Sequence, residues 1–173
     1  MQDSTAAPAV RRDQRAERDN HQRVLQVVQP ALAGMMDGSV STLAPLFATA
    51  LATRDSHTAF LVGVAAAVGA GISMAFAEAL SDDGSVTGRG NAWVRGLVEG
   101  GATLGGGLGH TLPFLLNDVR VALSVASVVV VAELLIISWL RFHYFGMPLV
   151  RSALQVVLGG ALVFGAGVLI GSS

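Results

Sequence analysis

From residue 121 to residue 140 the chain carries one ionisable side chain, Glu133, and from residue 149 to residue 173 it carries only Arg151. About 20 apolar residues are what a helix needs to cross the hydrocarbon core of a bilayer. In lipid every backbone N–H and C=O must be satisfied within the segment, so such stretches are committed to helix. The rest of the composition agrees. Of 173 residues, 52% are hydrophobic and 13% charged, roughly half the charged fraction of an average soluble domain. There is no cysteine, which removes a disulfide framework and a thiolate metal site. A net charge of −1, with no basic patch interleaved with aromatics, gives no sign of a nucleic-acid partner.

Apolar periodicity predicts an all-α integral membrane bundle of five transmembrane helices, at 31–53, 59–80, 96–116, 119–140 and 149–171. Pro30 and Pro148 stand where a helix can begin without losing a needed N–H. The connections are short: 54–57, 81–95, 117–118 and 141–148. Gly84, Gly88 and Gly90 mark the second as a true loop. Residues 1–30 then form an arginine-rich arm and linker, and residues 31–173 the transmembrane domain. The arm has no apolar run directly behind its basic residues, which argues against a cleaved signal peptide. Its Asp13, Glu17 and His21 fall at i, i+4 and i+8, a spacing that can hold a metal, although a solvated helix of mixed charge accounts for it more simply.

Orientation follows from the arginines, which are the only basic residues apart from histidine. With the N-terminus in the cytoplasm, an odd number of spans places the C-terminus outside. The inside then holds the arm arginines with Arg89, Arg95, Arg141 and Arg151, and the outside holds Arg54 and Arg120. That is the positive-inside pattern. Gly101, Gly105 and Gly109 repeat every fourth residue in the third span, and Gly167 and Gly171 do so in the fifth. Such rows let helix backbones approach closely in lipid. Each can serve either the interior of one bundle or a seam between two copies.

Charges inside the spans are the strongest functional signal. A carboxylate at the bilayer centre costs on the order of 3 kcal/mol on insertion scales, so its retention points to function. Asp37, in the stretch GMMDGSVSTLAPL, lies about two turns into the first span, counting about 1.5 Å per residue. Glu78 and Glu99 fall within a turn of the cytoplasmic ends of their spans, and Glu133 about two turns from that end of its own. Four carboxylates from four helices are thus expected in the cytoplasmic half, with His110 alone toward the outside. Anions gathered in a low dielectric need protons or a cation between them.

Met74 shares a helix face with Glu78 at i, i+4, and Gly71 nearby leaves room beside them. Carboxylate oxygen with thioether sulfur suits a first-row cation such as Fe²⁺ or Mn²⁺ better than Mg²⁺ or Ca²⁺. Asp37, Met74, Glu78, Glu99, Glu133 and His110 are therefore the candidate metal-site residues. Pro45 and Pro113 free the carbonyls of Ser41 and Gly109, which become further possible ligands or the sites of simple kinks.

The phrases MMDGSVSTLAP, GAGISMAFAEALSDDG and GLGHTLPFLL resemble the vacuolar iron transporter family, in which an Asp-Gly pair marks the first helix and a Met-x-x-x-Glu element the second. The resemblance spans residues 24–173, and it is nearest to the transporter half of bacterial membrane-bound ferritins. It implies five membrane helices, a homodimer in the bacterial inner membrane, and export of Fe²⁺ or Mn²⁺ from the cytoplasm against protons. It gives ion-path roles to Asp37, Met74 and Glu78; Glu99, Glu133 and His110 rest on position alone. Between the second and third spans only residues 81–95 stand where many members carry a glutamate-rich metal-collecting region. No ferritin-like Glu-x-x-His motif precedes the first span.

The resulting expectation is a divalent-metal carrier in which protons and metal compete for the same carboxylates, because a ligand must be deprotonated to bind. A membrane scaffold that recruits a soluble ferritin-like protein through the arginine-rich arm is the alternative. No Gly-x-Ser-x-Gly, Gly-x-Gly-Asp or His-Glu-x-x-His element occurs, so an intramembrane enzyme is not expected.

Overall fold

The computed structural model describes residues 8–85 and 87–172, with side chains from residue 12 onward. The first seven residues of the arm lie outside the described residues. Among those described, the chain is helical and has no strand. The helices are α1 (Pro8–Arg23), α2 (Gln29–Ser41), α3 (Leu43–Thr53), α4 (Ser56–Ser81), α5 (Ala92–Gly109), α6 (Val119–Phe145) and α7 (Leu149–Gly171). A π turn, Val24–Val28, joins α1 to α2, and a 3₁₀ turn, Leu112–Leu115, follows α5.

Local chemistry sets these boundaries. In the π turn the Gln29 N–H bonds to the Val24 carbonyl. Pro30 cannot donate to the Gln26 carbonyl and its ring would crowd that group in an α-helix, so the wider turn accommodates it. Pro45 likewise leaves the Ser41 carbonyl without its helical donor, and the first expected span divides there at Thr42. Asp55 caps α4 by accepting from the Thr58 N–H at 2.8 Å. Asn91 caps α5 from the Val94 N–H, and Asp118 caps α6 from the Arg120 N–H. Each such cap is worth about 1 kcal/mol. Gly146, at φ 61°, closes α6 in the left-handed conformation that suits glycine.

Among the described residues, three helices are long and apolar enough to cross a membrane: Ser56–Ser81, Val119–Phe145 and Leu149–Gly171. The other two expected spans differ from expectation. The first is the pair α2 and α3. The third starts earlier than predicted and ends at Gly109, because Pro113 sits in the 3₁₀ turn beyond it. Pro113 therefore follows a helix end instead of kinking a helix.

Helix α5 is packed tightly between α2 and α4. A Cβ at Gly34 or Gly38 of α2 would collide with the carbonyl of Glu99 or Thr103, respectively. A Cβ at Gly100 would lie 2.5 Å from the Gly71 carbonyl of α4, and one at Gly71 would lie 2.9 Å from that of Gly100. Backbone thus meets backbone on both sides of α5, with α2 running parallel to it and α4 antiparallel. Gly71 is spent on this contact and leaves no room for a ligand. The remaining helices close over an apolar core that includes Leu43, Phe47, Phe114, Ala126 and Ile137. Here the two glycine rows separate. Gly167 and Gly171 abut Ala44 and Ala48 of α3, so the fifth-span row serves internal packing, whereas Gly101 and Gly105 face open space.

Candidate cation site and the buried charges around it

The loop from Asp82 to Asn91 and the first turn of α5 place Arg95 inside the fold with no exposed surface. An arginine there is tolerable only with its donors and charge satisfied. Its Nε donates to Glu78 Oε1 at 2.6 Å. Its Nη1 donates to the Gly90 carbonyl at 2.8 Å, and its Nη2 to the Asp82 carbonyl at 2.9 Å. Nη2 also lies 3.1 Å from Asp82 Oδ2. Arg89 closes the group from the loop, with its Nη2 at 2.7 Å from the same Oε1 of Glu78. Two guanidinium groups thus converge on one carboxylate oxygen. The Asp82 carboxyl is held below the usual carboxylate range, first by the Thr87 hydroxyl, then by the Gly84 N–H and the two arginines.

Glu99 stands one turn beyond Arg95 on α5. Its exposure is 5%, so it is a buried carboxyl and does not reach out to the interface. It lies within hydrogen-bonding reach of Glu78 and within the electrostatic reach of Asp37. Asp37 is half-buried on α2, one turn before Ser41. It also lines a crevice of about 570 Å³ between α2, α6 and α7, together with Met36, Arg141, Phe145 and Gln155. Met74 is half-buried one turn from Glu78 on α4. Among the described residues no three His, Asp or Glu side chains converge closely enough to hold a metal ion between them.

Two of the predicted residues lie elsewhere. Glu133 does not join the other carboxylates. Its Oε2 is 3.1 Å from Nδ1 of His110, which caps α5 and is fully buried. Nε2 of His110 is 2.7 Å from the Thr42 hydroxyl. His110 lies eleven residues past Glu99 on the same chain, about 16 Å along a helix axis. The depth count that grouped Glu133 with the cytoplasmic carboxylates assumed equal, upright helices. The shortened α5 instead brings its end down to the middle of α6. In the arm, Asp13, Glu17 and His21 are exposed on α1, as a solvated helix would have them.

Arg89, Arg95, Asp82 and Thr42 were missed as site residues by the sequence reading. One signal was present for Arg95: it stands four residues before Glu99, so both share a face of an apolar helix. Comparison with family models, with curated proteins and with solved structures finds no match.

Proposed function

We propose that this chain is a membrane-embedded carrier of a divalent transition metal, Fe²⁺ or Mn²⁺, moving it out of the cytoplasm in exchange for protons. One observation carries the reading: Glu78 and Glu99, on adjacent helices, lie within hydrogen-bonding reach of each other, with the charge of Asp37 nearby. Arg89 and Arg95 already balance the charge of Glu78, so it is the added charge of Glu99 and Asp37 that a proton or a bound cation would offset. The half-buried Met74 thioether supplies a softer atom on the same side of α4, which favours a first-row ion over Mg²⁺. The reading agrees with the resemblance to vacuolar iron transporters in the Asp-Gly and Met-x-x-x-Glu elements. It also takes the described chain as five membrane crossings with the N-terminus inside, α2 and α3 together forming the first.

In this mechanism the ion arrives from the crevice that opens on Asp37 and is taken up between Asp37 and Glu99. Glu78 joins when the ion displaces Arg89, which sits on a loop, while Arg95 stays in place as a fixed counter-charge. Release on the far side follows protonation of the same carboxylates. A second copy packed on the open Gly101 and Gly105 face completes the coordination that one chain lacks. The test is uptake by the purified full chain in liposomes, across a panel of divalent cations and under an imposed proton gradient. Wild type moves Fe²⁺ or Mn²⁺, and Asp37→Asn and Glu99→Gln do not. Equal transport by Asp37→Asn and wild type overturns the proposal.

A scaffold role has one observation in its favour. Residues 12–23 of α1 are exposed throughout and set Arg12, Arg15, Arg18 and Arg23 among Asp13, Glu17 and Asp19, a mixed-charge surface whose arginines are open to an acidic partner such as a ferritin-like protein. In that case deletion of residues 1–23 abolishes function while Asp37→Asn is harmless.

A further inference from the structure

The contacts of His110 form a chain of three polar groups, and the number of protons it needs can be counted. Glu133 Oε2 lies 3.1 Å from Nδ1, and the Thr42 hydroxyl 2.7 Å from Nε2. That hydroxyl also donates to the Gly38 carbonyl at 2.8 Å. A hydroxyl has one proton to give. If Thr42 gives it to Gly38, then Nε2 must carry a hydrogen and donate to Thr42. Nδ1 and Glu133 then need one proton between them to make their own bond. All three contacts are therefore satisfied together only when the His110–Glu133 pair holds a proton beyond that of a neutral imidazole facing a carboxylate.

Without that proton, Glu133 is a lone carboxylate against a neutral ring in the middle of α6. A charge left uncompensated there is costly. Among the described residues Glu133 has no ion-pair partner other than His110. At this level α4 contributes Gly63, which abuts Thr111, and Ala67, which abuts Gly107. Helix α3 contributes only apolar residues, Thr49 and Thr53 before its end, α7 has Arg151 in its first turn, and Asp37 lies five residues before Thr42 on α2.

We infer that His110 and Glu133 form a buried proton-binding site, separate from the carboxylates at Asp37, Glu78 and Glu99, and coupled through Thr42 to the backbone beside Asp37. When the proton leaves, Nε2 becomes the acceptor and the Thr42 hydroxyl turns to it. The Gly38 carbonyl, next to Asp37, then loses its bond from that hydroxyl and is left as a free acceptor. The ligand of this site is the proton itself, and the inference stands whether or not the carboxylates take a metal.

The test reads the proton directly. The chain has four histidines, and His21, His57 and His143 are exposed. Replacing those three by Asn leaves His110 as the only histidine in the full chain. Nitrogen-15 NMR of this chain in lipid nanodiscs at neutral pH reports which ring nitrogens carry hydrogen, and infrared difference spectra against Glu133→Gln report a protonated Glu133. Two results support the inference: both nitrogens protonated, or a neutral ring with hydrogen on Nε2 together with a carboxylic-acid band that Glu133→Gln removes. A neutral ring with hydrogen on Nδ1 only, and no such band, overturns it. The ring readout needs no Glu133 variant, so hydrogen on Nδ1 alone or on both nitrogens is decisive even if Glu133→Gln folds poorly. In the remaining case, hydrogen on Nε2 alone, carbon-13 labelling of glutamate assigns the acid band in its place. On alkalinisation Nε2 is left without hydrogen in either case, and the Gly38 carbonyl signal shifts in step. A Gly38 carbonyl that does not respond when Nε2 loses its hydrogen overturns the coupling through Thr42.

Discussion

Arg95 Nε and Glu78 Oε1 are 2.6 Å apart, and the arginine has no exposed surface. Removing one member of such a pair leaves the other as an unpaired charge in the fold. Arg95→Gln is expected to destabilise the protein by about 3 kcal/mol, read as a lower unfolding temperature in detergent. The double variant Arg95→Gln with Glu78→Gln recovers part of that loss, because no orphaned glutamate remains. A double variant no more stable than Arg95→Gln alone would show that the pair is not what Arg95 contributes.

Arg89 reaches the same oxygen of Glu78 from a loop, so it competes with any cation that Glu78 binds. Arg89→Ala is expected to tighten Mn²⁺ binding by about tenfold, equivalent to ~1.4 kcal/mol. Isothermal titration of the purified full chain measures this. Unchanged or weaker binding would place the cation away from Glu78.

The glycines divide into two groups with opposite outcomes. A Cβ at Gly38 collides with the Thr103 carbonyl, so Gly38→Ala is expected to cost about 3 kcal/mol through overpacking. Gly101 and Gly105 face open space, and Gly101→Ala is expected to raise helix stability by about 1 kcal/mol. If two copies pack on this face, as proposed above, Gly105→Leu leaves thermal unfolding unchanged and lowers the mass seen by light scattering in detergent from dimer to monomer. Equal mass for Gly105→Leu and wild type removes this face as the seam.

Acid should loosen the loop between α4 and α5. The Asp82 carboxyl is held below its ordinary value of 3.8, chiefly by the Thr87 hydroxyl. A depressed folded-state value means the stabilisation is present above the unfolded value and is lost as pH falls. Protection from hydrogen exchange over residues 82–91, relative to the free peptide, is therefore expected to stay constant from neutral pH down to about pH 4 and to fall below it. Thr87→Val brings the folded value back toward the unfolded one, so it lowers protection at neutral pH and flattens the fall in acid. Protection lost already between pH 7 and 5 would assign the loop's order to another group.

Much of this architecture is legible in the residues. Proline, glycine and acid positions mark the helix ends, and Asp37, Glu78 and Glu99 stand out because each is an acid among apolar neighbours. The pairing of Glu133 with His110 is not legible, and the reason is physical. An apolar helix such as α6 has no polar stripe to give away its rotation, and its depth depends on where a neighbouring helix stops. The stop at Gly109 is set by a turn around Pro113, which also reads naturally as a kink. Arg95 was hidden differently. Next to a glycine-rich loop it looks like a surface charge that only records orientation, and its burial follows from Glu78 and Asp82 arriving from another helix. The glycine rows could be found in the sequence but not told apart, since packing within a chain and between chains uses the same spacing.

The π turn between α1 and α2 has a mechanical meaning. The side chain of Gln26, inside that turn, packs against Gly90, and the Gly90 carbonyl holds Arg95. The exposed arm is therefore a handle. A partner that grips it and pulls works against Gly90, loosens the hold on Arg95, and is felt at Glu78 two contacts away.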